Sequence, residues 1–148
     1  MNPERLDRLL RLRRIEESEA TRQLAQRLRQ LDAMTQQREQ LQHYQQEYWQ
    51  TALPEDANGL KWLATMREQL AVALEQQELR IQAAESQVAT AREEWLQRHR
   101  ACLSLEKLSD RRRAEGMQRE ARRQQIEQDL WATRQVHVRG VGRNWQDS

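Results

Sequence analysis

The apolar residues of this chain follow a helical spacing over long stretches. From Leu60 to Leu105, alternating steps of three and four residues reach fourteen positions, and eleven of them are apolar. This is the seam spacing of a coiled coil. The same frame is looser from Leu6 to Ala52, where Arg, Glu and Gln interrupt it. The pattern predicts two long helices that pair along one seam.

The residues at the ends of these patterns set the expected helix limits. Asn2 can cap a helix, Pro3 suits its first position, and Glu4 suits the positive end of its dipole. The segment 54–59 is the one strong turn signal in the first 115 residues. We therefore expect a helical hairpin over residues 1–135 and a flexible tail at 136–148, with helix one at about 3–52, the turn at 53–59 and helix two at about 60–134.

A loop of about six residues requires the two helices to pack antiparallel, so residues face each other when their numbers add up to about 113 or 114. Helix one begins near residue 3, so the seam of helix two should end near residue 110. It loses its apolar character there, after Leu108. The predicted fold is all-α: an antiparallel two-helix coiled-coil hairpin, expected to be monomeric, with a longer second helix that projects alone at its C-terminal end.

Composition narrows the protein class. The chain is 32% charged and 37% hydrophobic, and it has only 4 Gly and 2 Pro in 148 residues. Sandwiches, barrels and α/β sheets need turn residues more often than this. Residues 1–14 carry arginine every few positions without the apolar block of a signal peptide, so we expect none, and no apolar run reaches the roughly 18 residues that a membrane span requires. A single cysteine, Cys102, agrees with a reducing compartment. We expect a cytoplasmic protein.

Charge and reactive side chains argue against catalysis and nucleic-acid binding. The net charge is only +2. Only His99 and Cys102, three positions apart, could share a metal, and two ligands without a third do not make a metal site. The glycines within Arg139–Arg143 lack the third glycine, the strand and the helix of a phosphate loop. We expect no enzyme, no cofactor and no metal.

Two facing stripes of residues stand beside the predicted turn. In antiparallel order, each residue of one stripe faces one residue of the other: Gln37 with Gln77, Leu41 with Ala73, Tyr44 with Leu70, and Tyr48 with Met66. These residues are either simply the local seam or part of a docking surface. The second interpretation gains weight because helix two is apolar over a wide arc here, and because Trp49 and Trp62 add large apolar area.

A cluster of arginines lies where helix two is expected to lack a partner. It consists of Arg111, Arg112, Arg113, Arg119, Arg122 and Arg123. Glu115 and Glu120 could pair with these residues on a solvated helix. Alternatively, the section inserts into an acidic or carbonyl-lined hole in a partner, or it joins the arginine-rich N-terminal end, Arg5 to Arg14, in binding something anionic. Phosphate binding would normally come with a larger positive excess and with stacking aromatic residues, so a protein contact ranks above nucleic acid.

The stretch Leu41–Tyr48, a short breaker loop, and then Met66–Gln77 resemble the bacterial flagellar export protein family FliJ. The overall plan matches from about residue 3 to 130, and the distinctive pattern covers about 37 to 77. The resemblance implies an antiparallel coiled coil similar to the central stalk of rotary ATPases. It also implies that this coiled coil promotes ring assembly and activity of a hexameric type III export ATPase, links the ATPase to the membrane export gate protein, and escorts export chaperones. Its gate-contacting surface maps onto the eight stripe residues, although Met66 and Gln77 depart from the Phe and His that the family pattern can have there.

These observations favour a non-enzymatic stalk of the flagellar export apparatus. It would be cytoplasmic and peripheral at the inner membrane, with the arginine cluster engaging the ATPase ring. An injectisome stalk of the YscO type is a near alternative. A generic coiled-coil scaffold or homodimeric adaptor is another, and a nucleic-acid-associated rod is a third.

Overall fold

The computed structural model describes the backbone of residues 2–146 and the side chains of residues 2–140. It contains two helices, α1 over Pro3–Gln50 and α2 over Ala57–Gln146, and no strand within those residues. The two helices pack against each other, and α2 is the longer. The predicted all-helical hairpin of two unequal helices is confirmed.

Local hydrogen bonds mark where each of the two helices begins. The Asn2 side chain accepts the backbone N–H of Glu4 at 3.1 Å, as a cap at the start of α1 should. α1 ends at Gln50, two residues before the predicted limit, and α2 begins at Ala57, three residues before it. The Asp56 carbonyl accepts the first helical bond of α2, from Leu60 N–H at 3.1 Å.

α2 also continues to Gln146, past the predicted end near residue 134. No proline follows Pro54, and a glycine in a helix costs only about 1 kcal/mol relative to Ala, so Gly140 does not end the helix. Residues 147 and 148 and the side chains from 141 onward, including Trp145, lie outside the described part of the chain. The flexibility predicted for residues 136–148 stays a prediction.

Contacts divide the chain into two compact units. The central unit is Arg11–Cys102, and the terminal unit comprises Met1–Leu10 and Leu103–Ser148. In the central unit, the buried side chains of α2 all fall on the predicted seam frame: Leu63, Gln77, Ile81, Ala84, Val88, Ala91 and Cys102. On α1, the residues of its own looser frame in this unit are mostly half-buried, and Ala20 is buried.

Polar contacts between α1 and α2 in the central unit fix the antiparallel register. Arg98 donates to Glu16 at 2.9 Å, and Gln77 donates to Gln37 at 3.2 Å. Both pairs obey the register that the loop length predicts. The two stripes therefore do face each other beside the turn.

The terminal unit has a short core. Leu6, Leu10 and Ser109 are buried. Arg112 is the last half-buried residue, and every described side chain from 113 to 140 is exposed. The prediction that the seam of α2 ends near residue 110 is therefore confirmed.

Candidate functional site

The two predicted stripes occupy a boundary between core and surface. Gln37 and Tyr44 are exposed, and Gln77 is buried. The remaining five are half-buried: Leu41, Tyr48, Met66, Leu70 and Ala73. The same residues therefore form the local seam and leave part of their area accessible, and their role as a docking surface stays a prediction.

Gln77 is the exception among the stripe residues. Only 4% of it is exposed, and its side-chain amide donates to the Met34 backbone carbonyl at 2.8 Å and to the Gln37 side chain at 3.2 Å. A buried amide with two acceptors is satisfied by the fold itself. Gln77 is therefore a buried hydrogen-bond donor to Gln37, and Gln37 is the exposed member of this pair.

Aromatic side chains extend the accessible part of the stripes towards the turn. Trp49 and Trp62 are 61% and 55% exposed. The Tyr48 ring meets the Trp62 ring edge to face, with centroids 5.9 Å apart, a favourable aromatic geometry. We call the accessible residues around the turn the tip surface; its members are Leu41, Tyr44, Tyr48, Trp49, Leu53, Leu60, Trp62, Met66 and Leu70.

Arg67 ties the two helices together under the tip surface. Its Nε and Nη2 atoms both donate to the Tyr48 carbonyl, at 3.2 and 3.1 Å. The guanidinium carbon also lies 4.3 Å from the centre of the Trp49 ring, in cation–π range. The sequence placed Arg67 in the seam frame but gave it no role. A charged residue at a seam position between Leu63 and Leu70 was the signal in the sequence that could have indicated a role for Arg67.

The turn between the helices is compact. A Cβ atom on Gly59 would come within 2.6 Å of both the Asp56 carboxylate and the Pro54 ring. Only glycine allows this close approach of the first turn of α2 to the loop. Pro54 and Gly59 thereby set where the chain enters α2, next to the aromatic residues of the tip surface.

The arginine cluster of α2 lies in the terminal unit. Arg112 is half-buried, whereas Arg111, Arg113, Arg119, Arg122 and Arg123 are exposed. Arg123 pairs with Glu120 at 3.3 Å, as expected for a solvated helix. The same section exposes large apolar side chains that the sequence reasoning missed: Met117, Ile126, Leu130, Trp131, Val136 and Val138. The Ile126–Leu130 spacing of four was the signal that could have found them.

A polar cluster interrupts the seam of the central unit. The His99 Nδ1 atom lies 3.0 Å from the Glu17 carboxylate, and the His99 ring stacks on Trp95 at 4.8 Å. The Trp95 indole donates to the Thr21 hydroxyl at 3.0 Å. Hydrogen bonds from Cys102 and then His99 lower the pKa of Glu17, although partial burial opposes them.

Metal chemistry has no support in this cluster. The sequence singled out His99 and Cys102 as two possible ligands, and the fold adds Glu17 beside them. Within the residues that the structure describes, however, no group of His, Cys, Asp or Glu is arranged to hold a metal ion. The described helices also include no stretch with the length and apolar character needed to cross a membrane.

Comparison with known proteins identifies the family. No curated protein matches the chain. No solved structure matches it either. A family model described as flagellar FliJ protein matches residues 1–140. The match covers both helices of the hairpin almost completely, and the chain therefore belongs to the flagellar FliJ family of export-apparatus components.

Proposed function

We propose that this protein is a non-enzymatic stalk that engages the hexameric flagellar export ATPase and links it to the membrane export gate. Family membership gives the apparatus. The tip surface is the observation that carries the link to the gate, because its accessible residues include Tyr44, Tyr48 and Leu70 of the family's gate-contacting pattern. The stalk would act as a monomer, peripheral at the cytoplasmic face of the inner membrane, and would escort export chaperones.

The composition of the tip surface suits a protein contact. Tyr and Trp are the residues that most often dominate binding energy at interfaces. Here Tyr44, Trp49 and Trp62 are each at least half exposed. These exposed aromatic residues exceed the scattered apolar residues that a surface normally carries, and they support the proposal of a protein contact here.

The ATPase would be engaged through the exposed arginines of the terminal unit. Arg111, Arg113, Arg119 and Arg122 present positive charge on a helix whose side chains face solvent. Long-range attraction of this kind raises association rates with an acidic partner. The family match favours the flagellar apparatus over an injectisome of the YscO type.

The test is to replace Tyr44 and Leu70 together by Ala and to measure binding to the purified export gate protein. We expect affinity to fall by about tenfold or more, because aromatic and apolar anchors dominate interfaces. Leu28→Ala with Leu79→Ala is the matched control, since both leucines are exposed in the central unit away from the turn. Equal affinity of the Tyr44/Leu70 variant and the wild type, with helicity retained, would contradict the gate-docking proposal.

A further inference from the structure

The last turn of α1 lacks the usual local means of ending a helix. The final carbonyls of a helix have no partner within the helix and need one from elsewhere. α1 has no basic residue in its last turn and no glycine at its end. The Thr51 hydroxyl satisfies one carbonyl, that of Glu47, at 2.8 Å.

The next carbonyl, that of Tyr48, is satisfied from the other helix. Arg67 reaches across from α2 and donates two N–H groups to it. The C-terminal end of a helix also carries partial negative charge, which a cation stabilises. Arg67 thus supplies the hydrogen bonds and the positive charge at the end of α1 that no residue in the last turn of α1 provides.

The same guanidinium fixes an exposed aromatic ring. Trp49 is 61% exposed, and Arg67 covers one face of its ring at 4.3 Å. Ordering a side chain on binding costs free energy, so a ring already held in place binds more tightly. Tyr48, whose carbonyl Arg67 binds, carries the ring that meets Trp62.

We infer that Arg67 is a positioning residue that holds the last turn of α1, with Tyr48 and Trp49, in the arrangement the tip surface presents to its partner. The position argues for this role, because Arg67 occupies a seam position between Leu63 and Leu70 in a frame that is otherwise mostly apolar. An apolar side chain there would suit helix pairing at least as well. The expected effect of Arg67 on gate affinity rests on the proposed function. Its expected effect on the last turn of α1 rests only on the contacts described above.

The experiment uses Arg67→Met, which keeps a long apolar stem in the seam and removes the fork of donors. We expect the melting temperature to be retained. Hydrogen exchange at the amides of residues 48–50, the last of α1, should rise by about fivefold or more as the last turn opens. Affinity for the export gate protein should fall by roughly tenfold. Arg67→Lys should restore only part of both, since an ammonium lacks the planar fork.

Arg38→Met is the matched control, because Arg38 also joins α1 to α2, through Glu78 at 3.2 Å, and is likewise half-buried. It should leave exchange at residues 48–50 and gate affinity unchanged. Unchanged exchange in Arg67→Met overturns the inference, and so does faster exchange with unchanged affinity. If the wild-type chain does not bind the gate at all, the proposed function fails, and exchange at residues 48–50 alone then decides for or against Arg67.

Discussion

The Gln77 side chain on α2 donates to the Met34 carbonyl on α1 at 2.8 Å from a position that is only 4% exposed. Met34 lies within α1, so its carbonyl also accepts a bond from its own helix. The buried amide therefore adds a second donor to a carbonyl that is already bonded. A polar residue at a seam position commonly sets register and not stability.

This relationship predicts the effect of Gln77→Leu. The free energy of unfolding should stay the same or rise by up to about 1 kcal/mol, because the new side chain is apolar and no buried partner loses its only bond. Affinity for the export gate should change by less than about twofold, since a buried side chain cannot contact a partner. Urea denaturation and gate titration measure the two quantities. Gln76→Leu, at the exposed neighbouring position, is the control, and a large loss of stability in the Gln77 variant alone would refute this account.

Acid should weaken the central unit through Glu17. Its folded-state pKa lies below the ordinary 4.5, chiefly because Cys102 and His99 donate to the carboxylate. A lowered pKa contributes stability that is present above the unfolded value and is lost as pH falls through the folded value. The contribution should therefore be complete above about pH 5 and should fade as the pH drops below 4.5.

The measurement is the melting temperature of wild type and Glu17→Gln at pH 6, 4 and 3. Wild type should be the more stable at pH 6, and the difference should shrink towards pH 3. Glu19→Gln removes an exposed carboxylate on the same helix and serves as the control. A difference between wild type and Glu17→Gln that stays constant with pH would show that the carboxylate does not act through its charge.

Two glycines should respond in opposite ways to replacement by Ala. A Cβ on Gly59 would approach the rigid Pro54 ring to 2.6 Å, so the turn must shift, and we expect a loss of about 1 to 3 kcal/mol. A Cβ on Gly116 would meet nothing within 4 Å, so Gly116→Ala should raise helix stability by about 0.5 to 1 kcal/mol. Thermal denaturation followed by circular dichroism tests the pair. A stable Gly59→Ala variant would mean that the loop adjusts at little cost.

The arginine cluster should bind the ATPase by charge. The combined variant Arg111→Gln, Arg119→Gln and Arg122→Gln is expected to lower affinity for the export ATPase about tenfold at low salt, with the gap narrowing as salt screens the attraction. Arg112 is left intact because it is half-buried. Ring binding and ATP hydrolysis are the readouts.

A second triple variant separates position from net charge. Arg29→Gln, Arg80→Gln and Arg92→Gln remove the same charge from exposed sites of the central unit. This variant should bind the ATPase nearly as wild type does. Equal losses in the two triple variants would attribute the effect to overall charge and would reject a docking role for the cluster.

The seam of α2 was predictable because periodicity alone identifies buried positions. Ile81, Ala84, Val88 and Ala91 lie where the heptad frame puts them. The register followed from one short loop, and the end of burial near Ser109 followed from the register. These features depend on local spacing and chain geometry, which a sequence displays directly.

The tertiary polar contacts were not predictable in the same way. Arg67 donates to the Tyr48 carbonyl, and Glu17 accepts hydrogen bonds from both His99 and Cys102. These contacts join residues on different helices and depend on particular side-chain conformations. The sequence also underestimated α2 beyond residue 134, because the seam pattern has already ended near residue 110 and nothing between there and Gln146 stops a helix. Apolar periodicity in a sequence indicates which positions are buried. A helix whose side chains are all exposed shows little of this periodicity, so its length is harder to predict.

The exposed side chains of residues 113–140 have a thermal consequence. No side chain of that stretch is buried, so its helix depends on its own backbone hydrogen bonds and on pairs such as Arg123 with Glu120, without the tertiary packing that stabilises most helices. Heating should unwind it gradually, at temperatures where the seam around Ile81 is still closed. The helical ellipticity of the whole chain should then decrease steadily with temperature before the main unfolding transition. A partner bound to this stretch should make that early decrease smaller.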